Sequence, residues 1–279
     1  MNKIIAAFDG LKFATSTKQY AMAIASKTQS HLTGVFLDDQ TYTSYKIYDM
    51  VIEDGVSEHR LRKFKEKDNE RRRNASIEFE SDCISHKIEY NIHHDRDVAL
   101  PELLHETLFS DLLVINSGES FTHHEEQFPT RFIRDVLSNT QCSVLLTPEI
   151  YSEVNKIVFL YDGKPASIYA LKMANLLMPN FKSLPLELIC VKPLEDNIHL
   201  PDNKLIKELL KRHYNNIEFT ILKGIPEVEI INHLNKDKSN FMLILGAYRR
   251  TMLSRWFKSS MADAIIKSFN APLFISHNK

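Results

Sequence analysis

The sequence predicts an α/β chain made of two tandem copies of one small domain, and three observations carry that prediction. The 279 residues exceed one average core and suit two domains of about 140 residues each. Apolar runs of strand length recur in the same order in both halves. Helical patterns stand between them, and strands alternating with helices imply parallel sheet order with right-handed crossovers.

The repeat is visible residue by residue. Lys3-Ile4-Ile5-Ala6-Ala7-Phe8-Asp9-Gly10 is matched by Lys156-Ile157-Val158-Phe159-Leu160-Tyr161-Asp162-Gly163, each an apolar run closed by an aromatic residue, Asp and Gly. Both read as buried strands. Helical patterns follow over Phe13 to Ala25 and over Pro165 to Leu177, where the proline suits a first helical turn. Second strands come at Leu32 to Leu37 and Leu186 to Val191. Alternating strands at Lys87 to Ile92 and Ile217 to Ile221 lead into helices over Val98 to Leu108 and Pro226 to Leu234. Asp111 to Ile115 pairs with Phe241 to Leu245, and the closing strand Cys142 to Leu146 with Pro272 to Ile275. The halves differ most between their second and third strands. There the first half carries an extra segment, Gln40 to Glu58, and a charged helix from Arg60 to Cys83, against a shorter helix from Asp202 to Tyr214 in the second. Tyr151 to Asn155 is the natural linker, short enough that the domains should pack together.

Composition narrows the function classes. Hydrophobic residues make up 43% and charged residues 25% of the chain, as in an ordinary folded protein. No apolar stretch reaches membrane-spanning length, and the opening Met1 to Phe8 meets Asp9 too soon for a signal peptide. A cytoplasmic protein without a membrane partner is expected. Cys83, Cys142 and Cys190 are odd in number and far apart, which suggests neither a disulfide framework nor a zinc motif. With 35 Lys and Arg against 36 Asp and Glu, no global charge draws the chain to nucleic acid.

The strand-Asp-Gly opening, the turn Asp162-Gly163-Lys164-Pro165-Ala166-Ser167, and the region from Gly246 to Ile275 resemble a universal stress protein. The resemblance covers both halves. It implies two tandem doubly wound domains, residues 1–150 and 155–279, each a five-stranded, mainly parallel sheet with helices on both faces, in the Rossmann-like manner of the adenine nucleotide alpha hydrolases. It also implies domains that pair within the chain through the closing strands Cys142 to Leu146 and Pro272 to Ile275, a homodimer as a further option, and ATP or another adenine nucleotide in the members that bind one. Mg would accompany only a bound nucleotide.

Nucleotide-binding members carry a Gly, two residues, a second Gly, nine residues, then Gly followed by Ser or Thr. The second half keeps the spacing from Gly246 to Ser260, but Arg249 stands at the second glycine and Ser259 at the third. Glycine there lets backbone amides approach phosphate oxygens. Arg249 either fills the phosphate site or turns outward to join Arg250, Arg255 and Lys258 around an anion. By the same resemblance Asp162, with Gly163 beside it, faces the adenine and ribose end of the site, and Val191 lines the base. The alternative for Asp162 is a turn carboxylate that accepts from nearby amides, and for Val191 plain sheet core. Asp9 and Val35 stand at these positions in the first half, but Asn116-Ser117-Gly118-Glu119 follows its fourth strand and Pro129-Thr130 replaces Gly-Ser. That half is expected to bind no nucleotide and to serve as a partner domain.

Other constellations read blandly. His93-His94-Asp95 and His123-His124-Glu125-Glu126 are expected to be exposed loop residues rather than metal ligands, since neighbouring histidines seldom share a metal. The basic run His59 to Arg73 reads as a solvated amphipathic helix. No nucleophile elbow, Walker motif or dinucleotide fingerprint is present, so no catalytic residue is assigned. The function expected is a non-enzymatic stress protein with a nucleotide site in its second domain and an adaptor-like first domain that meets an unidentified protein partner. The alternatives are a nucleotide-free interaction module and a slow ATPase.

Overall fold

A computed structural model describes residues 2–39, 58–122, 126–247, 265 and 268–277. Residues 40–57 of the expected insertion lie outside the described residues, as do His123, His124, Glu125, Arg249, Arg250, Arg255, Lys258, Ser259 and Ser260. The chain divides into two compact units, Met1–Gln141 and Cys142–Lys279.

The first unit runs β1 (Lys3–Phe8), α1 (Thr15–Thr28), β2 (His31–Leu37), α2 (Glu58–Ser85), β3 (Tyr90–Asp95), α3 (Ala99–Thr107), β4 (Leu112–Asn116) and α4 (Arg131–Asn139). Its strands lie in the order β3-β2-β1-β4, and the pairs β1 with β2, β1 with β4 and β2 with β3 are all parallel. Apolar side chains of β1, β2 and β4 are buried along almost their whole length, as strands covered on both faces must be.

The second unit runs β5 (Ser143–Thr147), β6 (Lys156–Leu160), α5 (Pro165–Leu177), β7 (Leu186–Lys192), α6 (Asn203–Lys211), β8 (Ile217–Lys223), α7 (Pro226–Leu234), β9 (Phe241–Ala247) and β10 (Leu273–His277). The order is β5-β10-β9-β6-β7-β8, parallel from β10 through β8. β5 alone runs antiparallel, Val144 to Leu146 facing Ile275 to Leu273. The Ser143 and Ser276 hydroxyls meet there at 2.9 Å. Each repeat thus contributes five strands, and the closing strand of the first is part of the second unit.

Three expectations need correction. β3 begins at Tyr90 rather than Lys87, because α2 closes first. The Ile88 amide donates to the Cys83 carbonyl at 3.0 Å, and Lys87 turns the chain at φ 56. His93 and His94 are therefore strand residues on opposite faces, not loop residues. Each meets a carboxylate, His93 Nδ1 at 2.6 Å from Glu106 and His94 Nδ1 at 2.9 Å from Asp38. The register also corrects the repeat. Val35 lies in line with Ala7 and Ile189 with Leu160, so the counterpart of Val191 is Leu37.

That register exposes a polar cluster built twice with its parts exchanged. In the second unit Lys156 Nζ donates to Glu187 and Asp237, both at 2.7 Å, while Glu187 also accepts from Thr220 at 2.6 Å and faces His233 Nε2 at 2.7 Å. Burial pushes the Glu187 carboxyl up, but these hydrogen bonds outweigh burial and hold it below its ordinary value. At the same four positions the first unit has Lys3, Thr33, His93 and Glu106, with Lys3 Nζ 3.9 Å from Glu106. The cation is fixed, while carboxylate and imidazole have moved between strand and helix. A buried charge is retained only with its partners.

Candidate functional site

The topology of the second unit leaves one place where its winding reverses. The chain goes from β6 outward to β7 and β8, then returns to the other side of β6 as β9 and β10. In open parallel sheets the crevice beyond the carboxyl ends of the strands at such a reversal is the usual ligand site. A pocket lies there. Leu160 and Tyr161 come from the end of β6, Ile189 and Val191 from β7, Leu245 and Gly246 from β9, Ser167 from α5, and Pro226 and Ile230 from α7, with Asp162 at the rim. Three residues singled out in the sequence, Asp162, Val191 and Gly246, are thus brought together from three separate strand ends.

Asp162 does what a turn carboxylate does. Its Oδ1 accepts the Lys164 amide at 3.0 Å and its Oδ2 lies 3.8 Å from the Lys164 ammonium. Gly163 shapes the turn rather than lining the pocket. It adopts φ +79, and a Cβ there would lie 2.6 Å from Cβ of Pro201, so both conformation and space require glycine. Tyr161 is buried, its hydroxyl donating to the Pro201 carbonyl at 3.1 Å. Burial, reinforced by the charge of Asp202, pushes that phenol up to about 12. Ser167 donates its hydroxyl to the Lys164 carbonyl at 2.8 Å. Tyr161, Ser167 and Pro201 were missed as site residues. Ser167 had a signal in the sequence, standing in the first turn after the Asp-Gly-Lys-Pro step.

Gly246 owes its identity to a helix. A Cβ built on it would lie 2.3 Å from the Ser167 amide nitrogen and 2.4 Å from the Ala166 carbonyl carbon. This glycine lets the backbone of α5 touch the backbone of β9. The four apolar walls, Leu160, Ile189, Val191 and Ile230, suit a flat base, and Asp162 can accept from hydroxyl groups. The cavity measures about 50 Å³, room for a few water molecules.

At the same strand ends the first unit packs aromatic rings on the α2 side of its sheet, Phe36 standing where Cys190 stands and Phe8 where Tyr161 stands. Phe8, Phe13 and Phe36 contact one another with ring centroids 4.9 to 6.1 Å apart, and Phe79 adds an edge at 5.7 Å from Phe8. Asn116 stands at the position of Gly246 and accepts the Gly118 amide at 2.8 Å. Thr130 caps α4, its hydroxyl accepting the Ile133 amide and donating to the Glu119 carbonyl. Asp9 and Glu119 are only 1% and 6% exposed. Burial, then the charge of Asp9, pushes the Glu119 carboxyl up to about 8, and burial raises Asp9 as well. Among the described residues no group of three His, Cys, Asp or Glu side chains could hold a metal ion, and no helix is long and apolar enough to cross a membrane.

Against known proteins, no family model and no curated sequence matches this chain. Solved structures do. A universal stress protein from Archaeoglobus fulgidus DSM 4304 superposes over 100% of this chain and 99% of its own, with a TM-score of 0.71 at 13% identity. A functionally unknown protein from Pseudomonas aeruginosa PAO1 matches over 99% and 92%, with a TM-score of 0.53 at 14% identity. At these identities the likeness is one of fold. The chain has, over its full length, the α/β fold of a tandem universal stress protein.

Two expected outcomes test the geometry. Gly246→Ala should destabilise the protein by about 2 kcal/mol, the scale of overpacking, read as a lower urea midpoint at unchanged slope. An unchanged midpoint would mean that the close approach to α5 does not constrain the fold. Glu119 is protonated more readily in the folded chain than at its ordinary 4.5. Its stabilising share is therefore full below 4.5 and lost as pH rises through about 8. Glu119→Gln should raise the melting temperature at pH 8 more than at pH 5, and equal shifts at both pH values would contradict the burial argument.

Proposed function

We propose that this chain is a universal stress protein whose second unit takes an adenine nucleotide and whose first unit is an adaptor-like domain without a nucleotide. The observation that supports this reading is the convergence of Asp162, Val191 and Gly246 on one pocket at the reversal point between β6 and β9. In this reading Ile189 and Val191 flank the base, and Asp162 receives the ribose hydroxyls. Arg249, Ser259 and Ser260 form the phosphate side, where Mg would enter only with the phosphates. The β5 to β10 ladder is taken as the pairing contact of the two repeats. No residue is given a catalytic role.

A nucleotide-free interaction module is the second reading, and the small volume of the cavity favours it. For a nucleotide to enter, the apolar walls must part. Thermal unfolding with millimolar ATP and Mg separates the two. Binding at one hundred times the dissociation constant adds about 2.7 kcal/mol, so the transition should rise by several degrees. Asp162→Ala and Ser260→Ala should each shrink the rise, and Arg249→Gly should enlarge it if the arginine fills the phosphate site. No rise with ATP would sink the nucleotide reading and leave the interaction module. Steady phosphate release abolished by Asp162→Ala would replace it with a slow ATPase.

A further inference from the structure

The first unit carries a cavity beside its aromatic cluster, built on the long helix α2. Asn69, Arg72, Arg73 and Ser76 line it from α2. Their spacing of three, four and seven residues puts them on one face of that helix. Asp38, just past β2, and His94 and Arg96, at the end of β3, close the other side. The cavity measures about 490 Å³, within the range of small-molecule sites. It lies beyond the carboxyl ends of two adjacent parallel strands, the side of an open sheet on which ligands are held.

Its charges are unequal in a definite way. Arg72 is fixed, its Nη2 donating to the Asp39 carbonyl at 3.0 Å and its Nε 3.6 Å from Asp38 Oδ1. Asp38 is held from the other side by His94 at 2.9 Å, whose ring stacks on Phe36 with centroids 5.5 Å apart. The guanidinium groups of Arg73 and Arg96 meet no carboxylate among the described residues. Three arginines against one aspartate leave the lining with two net positive charges. In a chain whose overall charge is −1, a local excess of two cations facing one cavity is a feature of that cavity and not of the surface at large.

We propose that this cavity is a binding site for the phosphate group of a small molecule, either a phosphomonoester or free phosphate. Two guanidinium forks that meet no carboxylate among the described residues match phosphate oxygens in pairs, and a phosphomonoester near neutral pH carries about −1.5 to −2 charge, which the lining balances. The buried Asp38 holds Arg72 and His94 in place, so the ligand meets a preset edge rather than three free side chains. The second repeat has only the nine-residue α6 at the equivalent position, which makes this site a property of the first unit.

Isothermal titration of the full chain at low ionic strength, with inorganic phosphate in one arm and glycerol 3-phosphate in the other, tests the proposal. Saturable binding of one equivalent is expected, weakened about tenfold by Arg96→Ala and again by Arg73→Ala, the usual scale for one charge-assisted hydrogen bond. Both arginines are exposed, so the fold should survive, which circular dichroism checks. Tighter binding of the ester assigns the site to a phosphorylated metabolite, and equal binding assigns it to free phosphate. Asp162→Ala, in the second unit, should leave the titration unchanged, so that failure of the nucleotide reading does not decide this one. No saturable binding in either arm would overturn the proposal. So would an equal loss from Arg131→Ala, an exposed cation on α4 outside the cavity.

Discussion

Where β9 passes the first turn of α5, the two backbones are in contact, with no room for a Cβ on Gly246 beside Ala166 and Ser167. That contact fixes where α5 begins relative to the sheet. Pro165, without an amide to satisfy, occupies the first helical position, and the Asp162 turn with Gly163 at positive φ aims the chain into it. The start of α5 is thus held over the gap between β6 and β9. Ser167, Asp162, Val191 and the ends of β9 face one pocket because of this.

The first repeat releases the same constraint and the consequences can be followed. Asn116 stands where Gly246 stands, and α1 begins at Thr15, six residues after Asp9, rather than three residues after the Asp as α5 does. Phe13, in that longer connection, packs on Phe8 and Phe36. Glu119, on the loop after β4, is buried with Asp9. One fold has therefore been kept with two different interiors at the same strand ends. The Lys, Glu, His and Thr cluster makes the same point in miniature: Lys3 and Lys156 hold their places while their partners exchange positions.

The repeat, the order of elements and the bounds of α5 and α7 were legible because local signals agreed with tertiary demands. Buried apolar runs, an Asp-Gly turn and a proline at a helix start all point one way. The start of β3 was not legible, since the turn at Lys87 depends on how α2 closes. The pairing of β5 with β10 joins segments more than a hundred residues apart and has no local mark, so only the family resemblance pointed to it. The packing role of Gly246 was not legible because a glycine that admits a phosphate and one that admits a helix look alike in sequence. The cavity at Arg72 was hidden inside a charged run whose solvated face was correctly seen, since only the register with β3 brings Arg96 and His94 opposite it.

The central claim is that the two copies are unequal, with nucleotide contact confined to the second. Amide hydrogen exchange with and without ATP and Mg reads both copies at once. The account predicts slowed exchange at 160–168, 189–192 and 244–247, with the first unit's strand ends at 7–12 and 36–38 unchanged. Protection of both sets alike, or of the first unit alone, would contradict it.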